Sequence, residues 1–74
     1  MSALESIRRG AGESQKYVAA LIGVDVRTYQ NKEKGITEFK LSEMFIIARH
    51  YNRTVDDIFS PSNFEKHEII EIAE

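Results

Sequence analysis

The sequence predicts an all-α domain built from five short helices. Three observations carry this expectation. Helix-stopping residues recur along the chain at Gly10, Gly12, Gly23, Gly35 and Asn52. The segments between them place apolar residues three and four apart. No stretch before residue 68 alternates apolar with polar residues over four or more positions, so no strand pattern competes. With 74 residues the chain is one small domain, able to bury only about 60–65% of its unfolded surface. Its 42% apolar residues, with four Phe and three Tyr, suffice for a small core.

Helix one is expected over Ala3 to Arg9, opened by the S-x-x-E box of Ser2 and Glu5 and stopped by Gly10 and Gly12. Leu4 and Ile7 supply its apolar pair. Ser14 is the N-cap of helix two, Gln15 to Ile22, whose apolar stripe contains Val18 and Ile22. Gly23 suits the left-handed stop. Asp25 caps helix three, Val26 to Lys34, and Gly35 ends it. Helix four spans about Leu41 to Tyr51, with Leu41, Met44, Phe45, Ala48 and Tyr51 as its apolar face, and Asn52 as its stop. Thr54 with Asp57 opens a short helix five holding Val55, Ile58 and Phe59, and Pro61 closes it.

Charge and composition narrow the function. There is no cysteine, so no disulfide framework, and His50 and His67 alone make no structural zinc site. No apolar run is long enough to span a membrane, and MSALESIRRG does not read as a secretion signal. The expected setting is therefore cytoplasmic. No glycine-rich phosphate loop, paired carboxylates in an apolar setting or cysteine nucleophile is present, so the reading is not an enzyme and needs no cofactor. The net charge of −2 is unevenly spread. Residues 1–54 carry nine Lys/Arg against six Asp/Glu, whereas residues 55–74 carry Lys66 against Asp56, Asp57, Glu65, Glu68, Glu71 and Glu74. Such a split fits either a binding face with a solvated end or chance.

Helices two and three are joined by Gly23-Val24-Asp25, a three-residue turn of the kind that sets two helices at a steep angle. The run Ser14-Gln15-x-x-Val18-Ala19-x-x-Ile22-Gly23-Val24-Asp25-x-x-Thr28-Tyr29-x-x-x-Glu33-x-Gly35 resembles the helix-turn-helix of the phage Cro and repressor class, also called the XRE class. Arg8 upstream fits the same pattern. So do Leu41, Ala48, Tyr51-Asn52, Val55-Asp56 and Ile58-Phe59 downstream. The resemblance covers residues 4 to 59, and Thr28-Tyr29 with Lys32-Glu33-Lys34-Gly35 looks most like small regulators of phages and integrated elements of Gram-positive bacteria. It implies a five-helix lambda-repressor-like DNA-binding domain over residues 1–60, with its helix-turn-helix at 15–34, followed by a short C-terminal extension at 61–74.

In that reading Ala19, Ile22, Gly23, Val24 and Tyr29 are structural. The resemblance implies that Arg8 and Glu33 pair between helices one and three. The alternative is two surface charges worth less than about 1 kcal/mol. It also implies that the first, second and sixth residues of helix three, Val26, Arg27 and Asn31, enter the major groove of DNA. Arg can grip guanine, Asn adenine, and Val a thymine methyl. Gln30 is a further base contact. Phosphate contacts are expected from Gln15, where the family sets a helix start against the backbone, and from Ser14, Lys16, Thr28, Lys32, Lys34 and Lys40. For any one of these lysines, an ordinary solvated side chain is an equal expectation.

Four positions depart from the family's habits. Phe39 stands where a proline is frequent, Lys40 where a capping residue is usual, Lys32 where an apolar residue is common, and Arg53 in place of a small apolar residue. The extension reads as a sixth helix, Phe64 to Ala73, opened by Ser62 and Glu65, or as a strand at Glu68 to Ile72. Ile69, Ile72 and Ala73 are a candidate dimer contact or a cover for the chain's own core. The implied function is transcription regulation, typically repression, by a homodimer on a two-fold symmetric double-stranded operator, in the bacterial cytoplasm at the nucleoid. The alternative is an antitoxin or antirepressor of the same fold that works mainly through a protein partner.

Overall fold

Five helices follow one another through residues 3–60, the part of the chain that a computed structural model describes. They are α1 (Leu4–Gly10), α2 (Gln15–Leu21), α3 (Val26–Lys34), α4 (Leu41–His50) and α5 (Val55–Phe59). No strand occurs among the described residues. The fold is the all-α, lambda-repressor-like helix-turn-helix arrangement.

Local chemistry sets most boundaries. The Ser14 hydroxyl oxygen accepts from Tyr17 N at 3.0 Å and opens α2. Asp25 Oδ1 accepts from Thr28 N at 2.7 Å and opens α3. Thr54 and Asp57 exchange hydrogen bonds of 3.0 and 3.2 Å, a complete capping box for α5. Gly35 ends α3 at φ 87°, and Asn52, the single non-glycine residue at positive φ among those described, reverses the chain after α4 at φ 56°.

α1 departs from the expected bounds at both ends. Gly10 remains helical, and the left-handed stop falls at Gly12. At the other end Ala3 occupies the cap position and has no side-chain acceptor; its N–H instead donates to Ile58 O at 3.1 Å. That bond ties the entry of α1 to α5. Ser2, the expected cap, lies outside the described residues, as do Pro61, His67 and the whole extension at 61–74.

The core consists of Leu4, Val18, Ala19, Tyr29, Phe39, Ile47, Ala48 and Ile58. Ile7, Leu21, Ile22, Val24, Met44, Tyr51, Val55 and Phe59 pack around it. Phe39, in the loop before α4, meets Tyr29 and Phe59 edge to face at 6.0 and 5.2 Å between ring centres. This aromatic row takes the place of the proline that the family resemblance led one to look for.

α4 corrects the sequence reading. Leu41 is 63% exposed and Phe45 58%, although helical spacing places both on its apolar face. The inward row is Glu43, Met44, Ile47, Ala48 and Tyr51. Apolar residues occupy positions 44 to 48 without a break, so two overlapping stripes fit the pattern equally. The row that won contains a glutamate. Lys40 has no side-chain acceptor with which to cap α4, so Glu43 Oε1 reaches back to Lys40 N at 2.9 Å. That role turns residue 43, and the residues in line with it, toward the core.

Candidate nucleic-acid interface

α3 crosses over α2 with its inward and outward faces sharply different. Inward, Tyr29 is wholly buried and donates its hydroxyl to Glu33 Oε2 at 2.8 Å. Glu33, with a side chain only 4% exposed, also accepts from Arg8 Nε at 2.9 Å, Arg8 Nη2 at 3.3 Å and Gln15 Nε2 at 2.7 Å. Arg8 adds a third bond, from Nη1 to Glu13 O at 2.9 Å. Arg8 and Glu33 thus form a two-pronged pair between α1 and α3 rather than two stray surface charges. Burial pushes the Glu33 carboxyl up, but the bonds from Arg8, Gln15 and Tyr29 outweigh it and hold the group below the usual carboxylate range. Burial and the same carboxylate push the Tyr29 hydroxyl far up, so it stays a donor.

Outward, α3 presents Val26 and Arg27 as exposed residues, and Thr28, Gln30 and Asn31 as half-buried ones. The side chains of Arg27 and Asn31 make no hydrogen bond or ion pair with the described residues. They remain available to an outside partner. Thr28 does not: its hydroxyl and N–H both serve Asp25, holding that carboxyl below its usual range. Gln30 Nε2 donates to Gln15 Oε1 at 3.0 Å, so the side chains of Gln15 and Gln30 touch across the two helices.

Lys16, Lys34 and Lys40 are exposed, with no ion pair among the described residues. Ser14 keeps its hydroxyl proton for a further acceptor after capping α2. Lys32 is different and corrects the sequence reading. Its side chain is only 9% exposed, and its ammonium donates to Glu43 Oε1 at 3.0 Å and Glu38 O at 3.1 Å, 5.8 Å from the centre of the Phe39 ring. Two of its three N–H donors are thus spent inside the protein. Burial pushes the Glu43 carboxyl up; the Lys40 N–H and Lys32 more than reverse that.

Two carboxylates therefore matter that the sequence reading passed over. Glu43 announced itself only by standing three residues after the α4 cap position, the spacing of a capping box. Glu13 gave no signal of its own. It receives the Tyr51 hydroxyl at 2.7 Å and His50 Nε2 at 2.9 Å, and these partners hold its carboxyl below the usual range, Tyr51 foremost. It thereby anchors the α1–α2 turn to the end of α4.

The model of the family described as helix-turn-helix matches residues 4–58. The chain belongs to that family. The matched helix-turn-helix unit takes in all five helices, from Leu4 to one residue short of the end of α5. A crystal structure of a transcriptional regulator from Listeria innocua is similar in fold, with a TM-score of 0.70 over 96% of this chain and 73% of that one, at 14% identity. No curated protein sequence matches the chain. Among the described residues, no helix is long and apolar enough to cross a membrane, and no three His, Cys, Asp or Glu side chains are grouped to hold a metal ion.

Proposed function

We propose that this helix-turn-helix protein is a sequence-specific DNA-binding transcriptional regulator that sets α3 in the major groove. The observation that carries this is the division of α3. Its inner face is locked by Glu33 and Tyr29, while Arg27 and Asn31 stand outward without partners among the described residues. A rigid helix offering a guanidinium and a carboxamide is suited to base edges: arginine to guanine, asparagine to adenine, with Val26 against a thymine methyl. Ser14, Gln15, Lys16, Lys34 and Lys40 supply the phosphate contacts in this reading. Exposed cations can steer an anionic partner even when the net charge is −2. The similar fold of the Listeria transcriptional regulator agrees with the reading.

The protein acts as a homodimer on a two-fold symmetric operator whose half-sites are separated by about one helical turn, roughly 34 Å. Repression by competition with polymerase, in the bacterial cytoplasm, is the role that the family resemblance implies. A second reading, an antitoxin or antirepressor acting mainly through a protein, is favoured by one observation. Leu41, Phe45 and Ile46 form an exposed apolar row on α4, and such rows suit protein contacts.

Selection of bound sequences from random duplex DNA tests the proposal. A two-fold symmetric consensus is expected, and Arg27→Ala relaxes preference at one position of each half-site. Lys16→Ala or Lys34→Ala weakens all sequences alike and flattens the dependence on salt. No enrichment by the wild-type protein overturns the DNA reading and favours the protein partner.

A further inference from the structure

The exposed apolar row of α4 leads into a groove of about 1020 Å³ between the second half of α4 and the start of α5. Phe45, Ile46 and Val55 supply its apolar lining, and Arg49, Arg53 and Asp56 its charged one. Arg49 and Arg53 are exposed and make no ion pair with the described residues. Phe45 and Arg49 stand one turn apart on the same side of α4, with Ile46 beside them. The surface therefore changes from apolar to cationic toward the end of that helix.

Residues 61–74 carry the complementary order. They hold Glu65, Glu68, Glu71 and Glu74 against Lys66. At helical spacing Glu65, Glu68, Ile69 and Ile72 share one face, two carboxylates followed one turn later by two isoleucines. Laid antiparallel to α4, this face sets Glu68 against Arg49 and Ile72 against Phe45, because both steps are four residues, about 6 Å of helix. Glu65 then falls toward Arg53. The parallel direction would set carboxylates on Phe45 and isoleucines on Arg49. The connection is long enough: α5 has five residues, about 7.5 Å of helix, and its first residue, Val55, lines the groove. Residues 61–63 span at most about 10 Å, which returns residue 64 to the groove's edge.

We propose that the segment from Phe64 to Ala73 seats in the α4–α5 groove of its own chain, antiparallel to α4, with Glu68 on Arg49 and Ile72 on Phe45. A tether this short gives an effective concentration of millimolar order, which a free partner of comparable fit does not match. A second protein that uses the α4 row must displace the segment first.

The chain has no cysteine, so introduced pairs report the register directly. The test uses the full chain with Phe45→Cys and Ile72→Cys, oxidised with oxidised glutathione and sized by denaturing electrophoresis and mass. A disulfide within one chain is expected, formed at a rate unchanged over about a hundredfold dilution. Phe45→Cys with Ile70→Cys turns the second thiol to the other side of the segment and should link about tenfold more slowly. Glu68→Lys added to the first pair should slow the link about two- to fivefold, and Arg49→Glu added to that should restore it. Ile46→Cys with Ile69→Cys repeats the reading at a neighbouring contact should Phe45→Cys disturb the fold. A link chiefly between two chains, rising with concentration, puts a second copy in the groove and overturns the proposal. So do equal rates for the Ile70 and Ile72 pairs, indifference to Glu68→Lys, or no link at all, the last leaving the groove to a separate protein. No DNA enters the test, so its outcome is independent of the regulator reading.

Discussion

α3 is flanked by two buried ion pairs that look alike and work differently. On one side Arg8 meets Glu33 at 2.9 Å; on the other Lys32 meets Glu43 at 3.0 Å. All four side chains are less than a tenth exposed. The Glu33 carboxylate uses both oxygens and accepts from three residues, and one of its donors, Gln15, passes the interaction to the outward face. Glu43 uses one oxygen, for the Lys32 ammonium and for the backbone of Lys40, and its effect stops at the joint between α3 and α4. The first pair therefore extends to the side chains between α2 and α3, and the second fixes how the next helix docks. Charge type does not separate the roles. What separates them is whether the remaining donors point toward the core or along the face of the helix.

Substitutions can break this comparison. The largest effect is expected for Glu33→Ala, which strands Arg8 and the Tyr29 hydroxyl in the interior. A loss of about 3–5 kcal/mol in urea unfolding is the expectation, and a loss below about 1 kcal/mol would place the pair with ordinary surface bridges. Lys32→Met should cost about 3 kcal/mol by leaving Glu43 buried without its cation, and adding Glu43→Leu should recover most of it. A stable Lys32→Met that binds all DNA weakly would restore the lysine to the phosphate-contacting set.

Acid should weaken both pairs together. Glu13, Glu33 and Glu43 all ionise below the ordinary value of 4.5 in the folded chain, so the unfolded chain binds protons more readily. Their contribution is present above about pH 4.5 and is lost as pH falls through their folded values. Urea midpoints should hold steady from neutral pH down to about 5 and drop below it; a rise on acidification would contradict the assignment. The smallest effect concerns α4: Phe45→Ala should change monomer stability by less than about 0.5 kcal/mol, against about 2–4 kcal/mol for Ile47→Ala. Equal costs would mean that the two stripes of α4 have been exchanged.

The number and order of the helices were legible because caps and glycines are local signals. Ser14, Asp25, Gly35, Asn52 and the Thr54–Asp57 box each act within three or four residues of themselves. The Arg8–Glu33 pairing was legible only by resemblance, since 25 residues separate its partners. The orientation of α4 was not legible from periodicity. Its run of apolar residues is degenerate, and the observed orientation brings a glutamate at its start both to Lys40 N, where it caps the helix, and to a lysine eleven residues earlier on α3. Lys32 was misread for the same reason: a lysine looks solvated until a carboxylate from elsewhere in the fold is brought beneath it. Of the α3 residues named from the sequence, Arg27 is exposed and Asn31 half-buried, while Thr28 bonds Asp25 and Gln30 bonds Gln15.

The bond from Ala3 N to Ile58 O brings the two ends of the described fold side by side. A bridge of only a few residues between them would close the helical unit into a ring, and folds with adjacent ends tolerate such rewiring.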